Sequence, residues 1–357
     1  MSKTLFLHVG LPKTGSSSIQ YFLASNAKKL FKKGLHYPNL FGEVENTLKV
    51  KIGSGNGHAI SRVLTGAKKG TKGQTAKTVF AVLSKALIRA EGRDLLISSE
   101  GLYKISSKKH IERIHEIAKS HGYSIKVIIY LRRQDQALTS IYNQKVKRHR
   151  QTSSLVNWVS EFYKKEERLK FYSLLERLSS QYGKENIIPR VFERQQLKNN
   201  DLIYDFCSVL GIEMSKDFVR SIGKKNPSLS EKSVELMRQL NYLNPTKTFT
   251  NRYMDVEQVL QDNLGVLNQK DKLPYELANE VVQFFNEENK KVASEYFGRK
   301  DGVLFQSMPT ESTPEELTFS TKEISLVFGG LLLNIDRTIK KMEKQIEALK
   351  KDSSTPN

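Results

Sequence analysis

The stretch TLFLHVGLPKTGSSSIQYFL, residues 4–23, constrains the fold more than any other. Thr4–Val9 is a short apolar run closed by Gly10 and reads as a buried strand. From Ser16 the period changes. Ile19, Phe22, Leu23, Ala27, Leu30 and Phe31 follow helical spacing up to Lys33, and Gly34 supplies a C′ stop. A strand, a glycine-bounded turn and a helix form an anion cradle, because the first amides of a helix lack intrahelical acceptors and its dipole favours negative charge there. Gly10 and Gly15 are spaced as in the phosphate-binding pattern G-x-x-x-x-G-K-[ST], but Ser16 stands where that pattern has lysine. The cation comes three residues earlier, at Lys13.

The strand-then-helix alternation continues. Leu35–Tyr37 reads as a short second strand, His58–Leu64 as a short helix in a glycine- and lysine-rich stretch, and Thr78–Ala90 as an amphipathic helix. DLLISS (94–99) is a strand ending on Glu100, and Lys108–His121 is helical. IKVIIYL (125–131) is a buried strand that runs into Arg132-Arg133 and a helix over 135–148, and a further strand is expected over 187–192. This order predicts an α/β fold, a three-layer sandwich around a mainly parallel sheet. Ligands of such sheets bind beyond the carboxyl ends of the strands. Gly10, Glu100 and Arg132 each follow a strand, so they are expected to meet on one edge.

The chain carries 58 basic and 38 acidic residues, a net charge of +20, which favours anionic partners without choosing among them. Cys207 is the sole cysteine, which excludes an internal disulfide framework and cysteine-based zinc sites. No leader-like run opens the sequence and no apolar run reaches bilayer length, so a cytoplasmic protein is expected, with peripheral membrane association left open.

Two segments resemble one known family. GLPKTGSSSIQ (10–20) is similar to the 5′-phosphosulfate loop of sulfotransferases that use 3′-phosphoadenosine 5′-phosphosulfate (PAPS), and YLRRQDQALTSIYNQ (130–144) resembles their 3′-phosphate segment. In that segment an arginine at a strand end is followed eight residues later by a serine, as Arg132 and Ser140 are. Gln134 stands where many relatives have proline, a departure that bears on turn shape. A looser likeness covers Lys224 and Lys225 in KKNPS.

The resemblance implies a P-loop NTPase-like sulfotransferase fold over residues 1–245. It also implies PAPS as donor, with Lys13, Thr14, Gly15, Ser16, Ser17 and Ser18 around the 5′ end and Arg132, Ser140, Lys224 and Lys225 around the 3′-phosphate. No metal is expected, because the arginines after strand 125–131 would repel magnesium. Lys13 is the expected donor to the bridging oxygen. Glu100 is the expected base, with a helix-capping or ion-pairing role as its alternative, and His58 is the other candidate base. His8 reads as a core residue, and Arg133 as either an assistant to Arg132 or, for preference, solvated.

The acceptor is expected to be a hydroxyl or amine, on a carbohydrate or glycolipid for preference. Lys68, Lys69, Lys72 and the run KVKRHR (145–150) would either attract an anionic glycan or form solvated faces. The rival readings are a P-loop kinase, which the missing lysine at 16 disfavours, and a basic nucleic-acid-binding protein, for which no known module appears.

The remainder reads as a helical or irregular extension over 246–320 that completes the acceptor site, a long amphipathic helix over 321–350, and a disordered tail over 351–357. Apolar residues from Ile324 to Leu349 step by threes and fours, so this helix either packs on the body or forms a homo-oligomer seam.

Overall fold

A computed structural model describes residues 3–48, 55–66, 74–148, 151–220, 229–242, 256–264, 273–311 and 317–353. Its centre is a sheet of five strands, all parallel: β1 (Lys3–His8), β2 (Leu35–His36), β3 (Asp94–Ser98), β4 (Tyr123–Leu131) and β5 (Ile187–Val191), in the order β2-β3-β1-β4-β5. The α/β class and parallel sheet read from the sequence are therefore the observed ones. Helices connect the strands: α1 (Ser16–Ser25), α2 (Ala27–Lys32), α3 (Glu43–Leu48), α4 (His58–Leu64), α5 (Ala76–Arg89), α6 (Lys108–Ser120), α7 (Gln134–Lys147), α8 (Leu155–Phe162) and α9 (Phe171–Tyr182). After β5 come α10 (Leu202–Val209), α11 (Glu231–Tyr242), α12 (Val256–Leu264), α13 (Tyr275–Phe284), α14 (Asn286–Phe297) and α15 (Thr321–Ser353).

β1 lies between β3 and β4, with His8 in register with Ser98 on one side and Ile128 on the other. Val127 to Leu131 of β4 are fully buried, as expected of a strand covered on both faces. Each such side chain contributes about 1.5–3 kcal/mol by leaving water. Phe6, Leu96, Ile128 and Tyr130 share a core with Ile19, Phe22 and Leu23 of α1 and Phe206 of α10. His8 belongs to this interior. Its Nδ1 is 2.8 Å from Ser98 Oγ, and burial lowers its pKa to about 3, so the ring stays neutral.

The helix expected from Ser16 to Lys33 is two helices. Buried Asn26 divides them: its side chain donates to the carbonyls of Phe22 and Val219, each at 2.8 Å, and accepts from the Val219 amide at 2.9 Å. A polar side chain bonded to backbone competes with the helix ladder. α15 runs to Ser353, and residues 354–357 of the expected tail lie outside the described residues.

The chain forms two compact units, each discontinuous in sequence. The first comprises residues 1–137, 164–225 and 281–308 and holds the sheet; the second comprises 138–163, 226–280 and 309–357. The span 246–320 is shared between them, where the sequence reading treats it as one extension.

Within the second unit α15 packs on α12 through buried Val327 and Leu331. Gly330 permits the approach, because a Cβ there would lie 2.9 Å from Val259 Cγ1 and 3.1 Å from Asn263 Nδ2, whereas one on Gly329 would meet nothing within 4 Å. Gly329→Ala is expected to stabilise the helix by up to about 1 kcal/mol. Gly330→Ala is expected to destabilise it, since the stiff valine cannot turn aside. Thermal unfolding of the pair of variants, followed by circular dichroism, checks this. Equal shifts for both would refute the close-packing role.

Candidate active site

The carboxyl ends of β1, β3 and β4 bring the candidate residues together. Strand-like pairing runs past the strands: the Ser99 amide bonds to His8 O at 3.0 Å and the Tyr130 amide to Gly10 O at 3.1 Å. A Cβ on Gly10, which has φ +100°, would lie 3.2 Å from Glu100 Cα, so only glycine lets the two chains lie this close.

Between Gly10 and α1 the loop is held tightly. Lys13 adopts φ 70°, and buried Thr14 donates its hydroxyl to Leu11 O at 2.6 Å. Gly15 has φ 78°, and a Cβ on it would collide with Leu202 and crowd Phe192. α1 then starts with no side-chain cap and no acidic residue in its first turn. That is the condition in which a helix N-terminus favours an anion.

The hydroxyls divide into two groups. Thr14 points inward, and buried Ser16 donates its Oγ to Glu100 Oε1. Ser17 and Ser18 are exposed. Glu100 is therefore joined to the loop itself. The short 3₁₀ turn that begins at Leu102 has no side-chain cap, so the capping role weighed for Glu100 is not the observed one. Arg132 also grips the loop, donating Nη1 to Lys13 O at 3.0 Å, with its guanidinium 5.8 Å from the Phe192 ring centre. Burial lowers its pKa from the ordinary value, yet an arginine remains a cation throughout the working range.

His58 stands at the first position of α4, which is docked on the end of β3. The Gly57 amide donates to Ser98 O at 3.0 Å, and Ser61 Oγ is 3.1 Å from Ser99 Oγ. Burial, then the charge of Arg62, lowers the His58 pKa, which favours the neutral ring. Ser140 lies in the second turn of α7, partly exposed, in the part of the chain belonging to the second unit. Lys224 and Lys225, like Lys68, Lys69, Lys72 and residues 149–150, lie outside the described residues.

Arg133 is not solvated. It is 7% exposed, bonded through Nε and Nη2 to Asp135 at 2.7 and 2.8 Å, and it donates Nη1 to Ser307 Oγ at 3.1 Å. The Ser307 and Gln306 amides in turn donate to Glu193, at 2.7 and 2.8 Å. Residues 306–307 thus strap the ends of β4 and β5, a contribution from late in the chain that no local pattern announces. Gln134 is also buried, and its Nε2 donates to Asn289 Oδ1 at 2.8 Å. This residue ties the start of α7 to α14.

Glu43 escaped the sequence reading. Its Oε1 accepts from the Ala59 amide at 2.7 Å, while Oε2 is buried without a hydrogen-bond partner. Burial raises its pKa to about 7, against the opposing pull of the α4 amides. The folded protein thus holds this proton more tightly than the unfolded chain. The stability it contributes is present below the ordinary carboxylate pKa near 4.5 and is lost as pH rises to about 7. Glu43→Gln is expected to flatten this fall, so that the variant gains melting temperature relative to the parent from pH 5 to pH 8. A constant difference across that range would contradict the buried-carboxylate account.

Among the described residues no three His, Cys, Asp or Glu side chains are grouped to hold a metal, and no helix is long and apolar enough to cross a membrane. No family model matches the chain. An uncharacterised protein of Archaeoglobus fulgidus is 30% identical over 230 residues, which cover 61% of this chain and 57% of that protein. The chain thus matches little more than half of that relative's length. A crystal structure of a sulfotransferase from Alicyclobacillus acidocaldarius aligns with 84% of this chain and 98% of its own, at a TM-score of 0.46 and 14% identity. A likeness at that level carries no weight for function.

Proposed function

We propose that this chain transfers the sulfuryl group of PAPS to an acceptor hydroxyl or amine, preferentially on a carbohydrate or glycolipid. The observation that carries the reading is the start of α1: an uncapped helix N-terminus with no acidic residue in its first turn, bonded through Ser16 to the Glu100 carboxylate, and preceded by a loop whose Lys13 carbonyl accepts from the Arg132 guanidinium. Two anions at opposite ends of one nucleotide suit this arrangement. The loop amides, with Ser17 and Ser18, would take the 5′ end, and Arg132 would pair with the 3′-phosphate. The Thr14 and Ser16 hydroxyls shape the loop and fix Glu100.

The donor supplies the sulfuryl group, and the chain's residues do the rest. Lys13 stabilises the charge that develops on the leaving phosphate oxygen. Glu100 accepts the acceptor's proton. The hydrogen bond from Ser16 holds that carboxylate against the loop. His58, at the same sheet edge, is the substitute for Glu100 in this role. The anion is handled without a metal in this scheme.

Incubation with PAPS carrying radiolabelled sulfate and a panel of glycans, glycolipids and amine acceptors tests the reading. Transfer of label to at least one acceptor class in the presence of a chelator is expected. Magnesium-dependent ATP turnover, or salt-sensitive binding to an oligonucleotide with no response to PAPS, would replace this reading by one of its rivals.

A further inference from the structure

α15 has two apolar faces, and its own chain covers one of them. Val327 and Leu331 are buried, and they lie with Gly330 on the side that meets α12. The other face runs along Leu332, Ile335, Ile339, Met342, Ile346 and Leu349, with Phe328 one step earlier. Ile339 and Ile346 are each 50% exposed and Leu349 68%. Of the two adjacent leucines, Leu331 is buried at 8% exposure, and Leu332, 52% exposed, belongs to this stripe. With Leu332 in the stripe the steps alternate strictly, four then three, from Phe328 to Leu349. A strict period of 3.5 is the mark of a coiled-coil seam, in contrast to the 3.6 period of a helix lying on a body, and it is sustained here for three heptads.

We propose that this seam pairs with the same seam of a second copy of the chain, as a parallel, in-register, two-stranded coiled coil. In such a pair Leu332, Ile339 and Ile346 occupy the a positions and Phe328, Ile335, Met342 and Leu349 the d positions. Ile339 and Ile346 at a, with Leu349 at the last d position, suit two parallel strands. The flanking charges agree with self-pairing: Glu343 lies opposite the partner copy's Thr338, and no acidic residue lies opposite Asp336, so no like charges are opposed. A helix lying on an anionic membrane would instead border its apolar face with lysine or arginine. Here acidic Asp336 and Glu343 border it.

Light scattering on the full chain over a range of concentrations tests the proposal. A mass twice the 40.8 kDa of one chain is expected. The double substitution Ile339→Lys/Met342→Lys is expected to halve that mass while leaving the circular dichroism of the body unchanged, since both positions are already half exposed. Ile346→Cys should cross-link the pair on oxidation, because parallel in-register pairing sets equal positions face to face and Cys207 is buried. A single-chain mass at every concentration would overturn the proposal. So would a dimer that survives the double substitution, one that Ile346→Cys fails to cross-link, or a monomer that sediments with phosphatidylcholine–phosphatidylserine vesicles. None of these readings depends on sulfuryl transfer.

Discussion

Lys13→Ala is expected to slow sulfuryl transfer by about 100- to 1,000-fold, the usual loss when one donor to a developing oxyanion is removed. The reason is where the backbone puts this lysine. It occupies a left-handed turn immediately before an uncapped helix N-terminus, and its carbonyl is fixed by Arg132. A cation there serves charge that grows during bond breaking more than charge already present in the ground state. The loss should therefore appear in kcat more than in KM. Lys13→Arg is an informative companion. It keeps the charge but replaces a compact ammonium by a broad planar group, and an intermediate rate is expected. A Lys13→Ala variant with a full rate would remove the lysine from the mechanism.

Glu100→Gln is expected to cost about 100- to 10,000-fold in transfer while leaving affinity for 3′-phosphoadenosine 5′-phosphate nearly unchanged. Glutamine keeps an oxygen that can accept from Ser16 Oγ, so the loop retains its anchor and only basicity is lost. The split between rate and affinity is what separates a base from a structural tether. Loss of both would assign Glu100 to loop architecture. Retention of activity in Glu100→Gln, with loss in His58→Ala, would move the proton acceptor to His58.

The features that were legible in the sequence are those set by short-range pattern. β1, its glycine turn and the start of α1 follow from a change of period within twenty residues. The convergence of Gly10, Glu100 and Arg132 follows from strand ends and the parallel order. What stayed hidden depends on partners far away in the chain. Nothing local marks Glu43 as a carboxylate facing the amides of α4, or Asn26 as a helix break secured by Val219. The doublet Arg132-Arg133 looks uniform, yet Arg132 reaches the loop whereas Arg133 is taken up by Asp135 and Ser307. The roles of Thr14 and Ser16 were also invisible, because a serine- and threonine-rich loop gives no sign of which hydroxyls face inward. In α15 the periodicity was plain, but which of two adjacent leucines belongs to the seam required Gly330 and α12.

The claim that this sheet edge holds a nucleotide bearing phosphate at both ends is tested most directly by titration calorimetry with 3′-phosphoadenosine 5′-phosphate and adenosine 5′-phosphate, on the parent chain and on Arg132→Ala. The parent is expected to prefer the bisphosphate. Arg132→Ala is expected to lose about 10- to 100-fold of affinity for it, and clearly less for the monophosphate, whose loss comes only through the freed Lys13 carbonyl. Equal losses for the two ligands, or no binding of the bisphosphate by the parent chain, would contradict the claim.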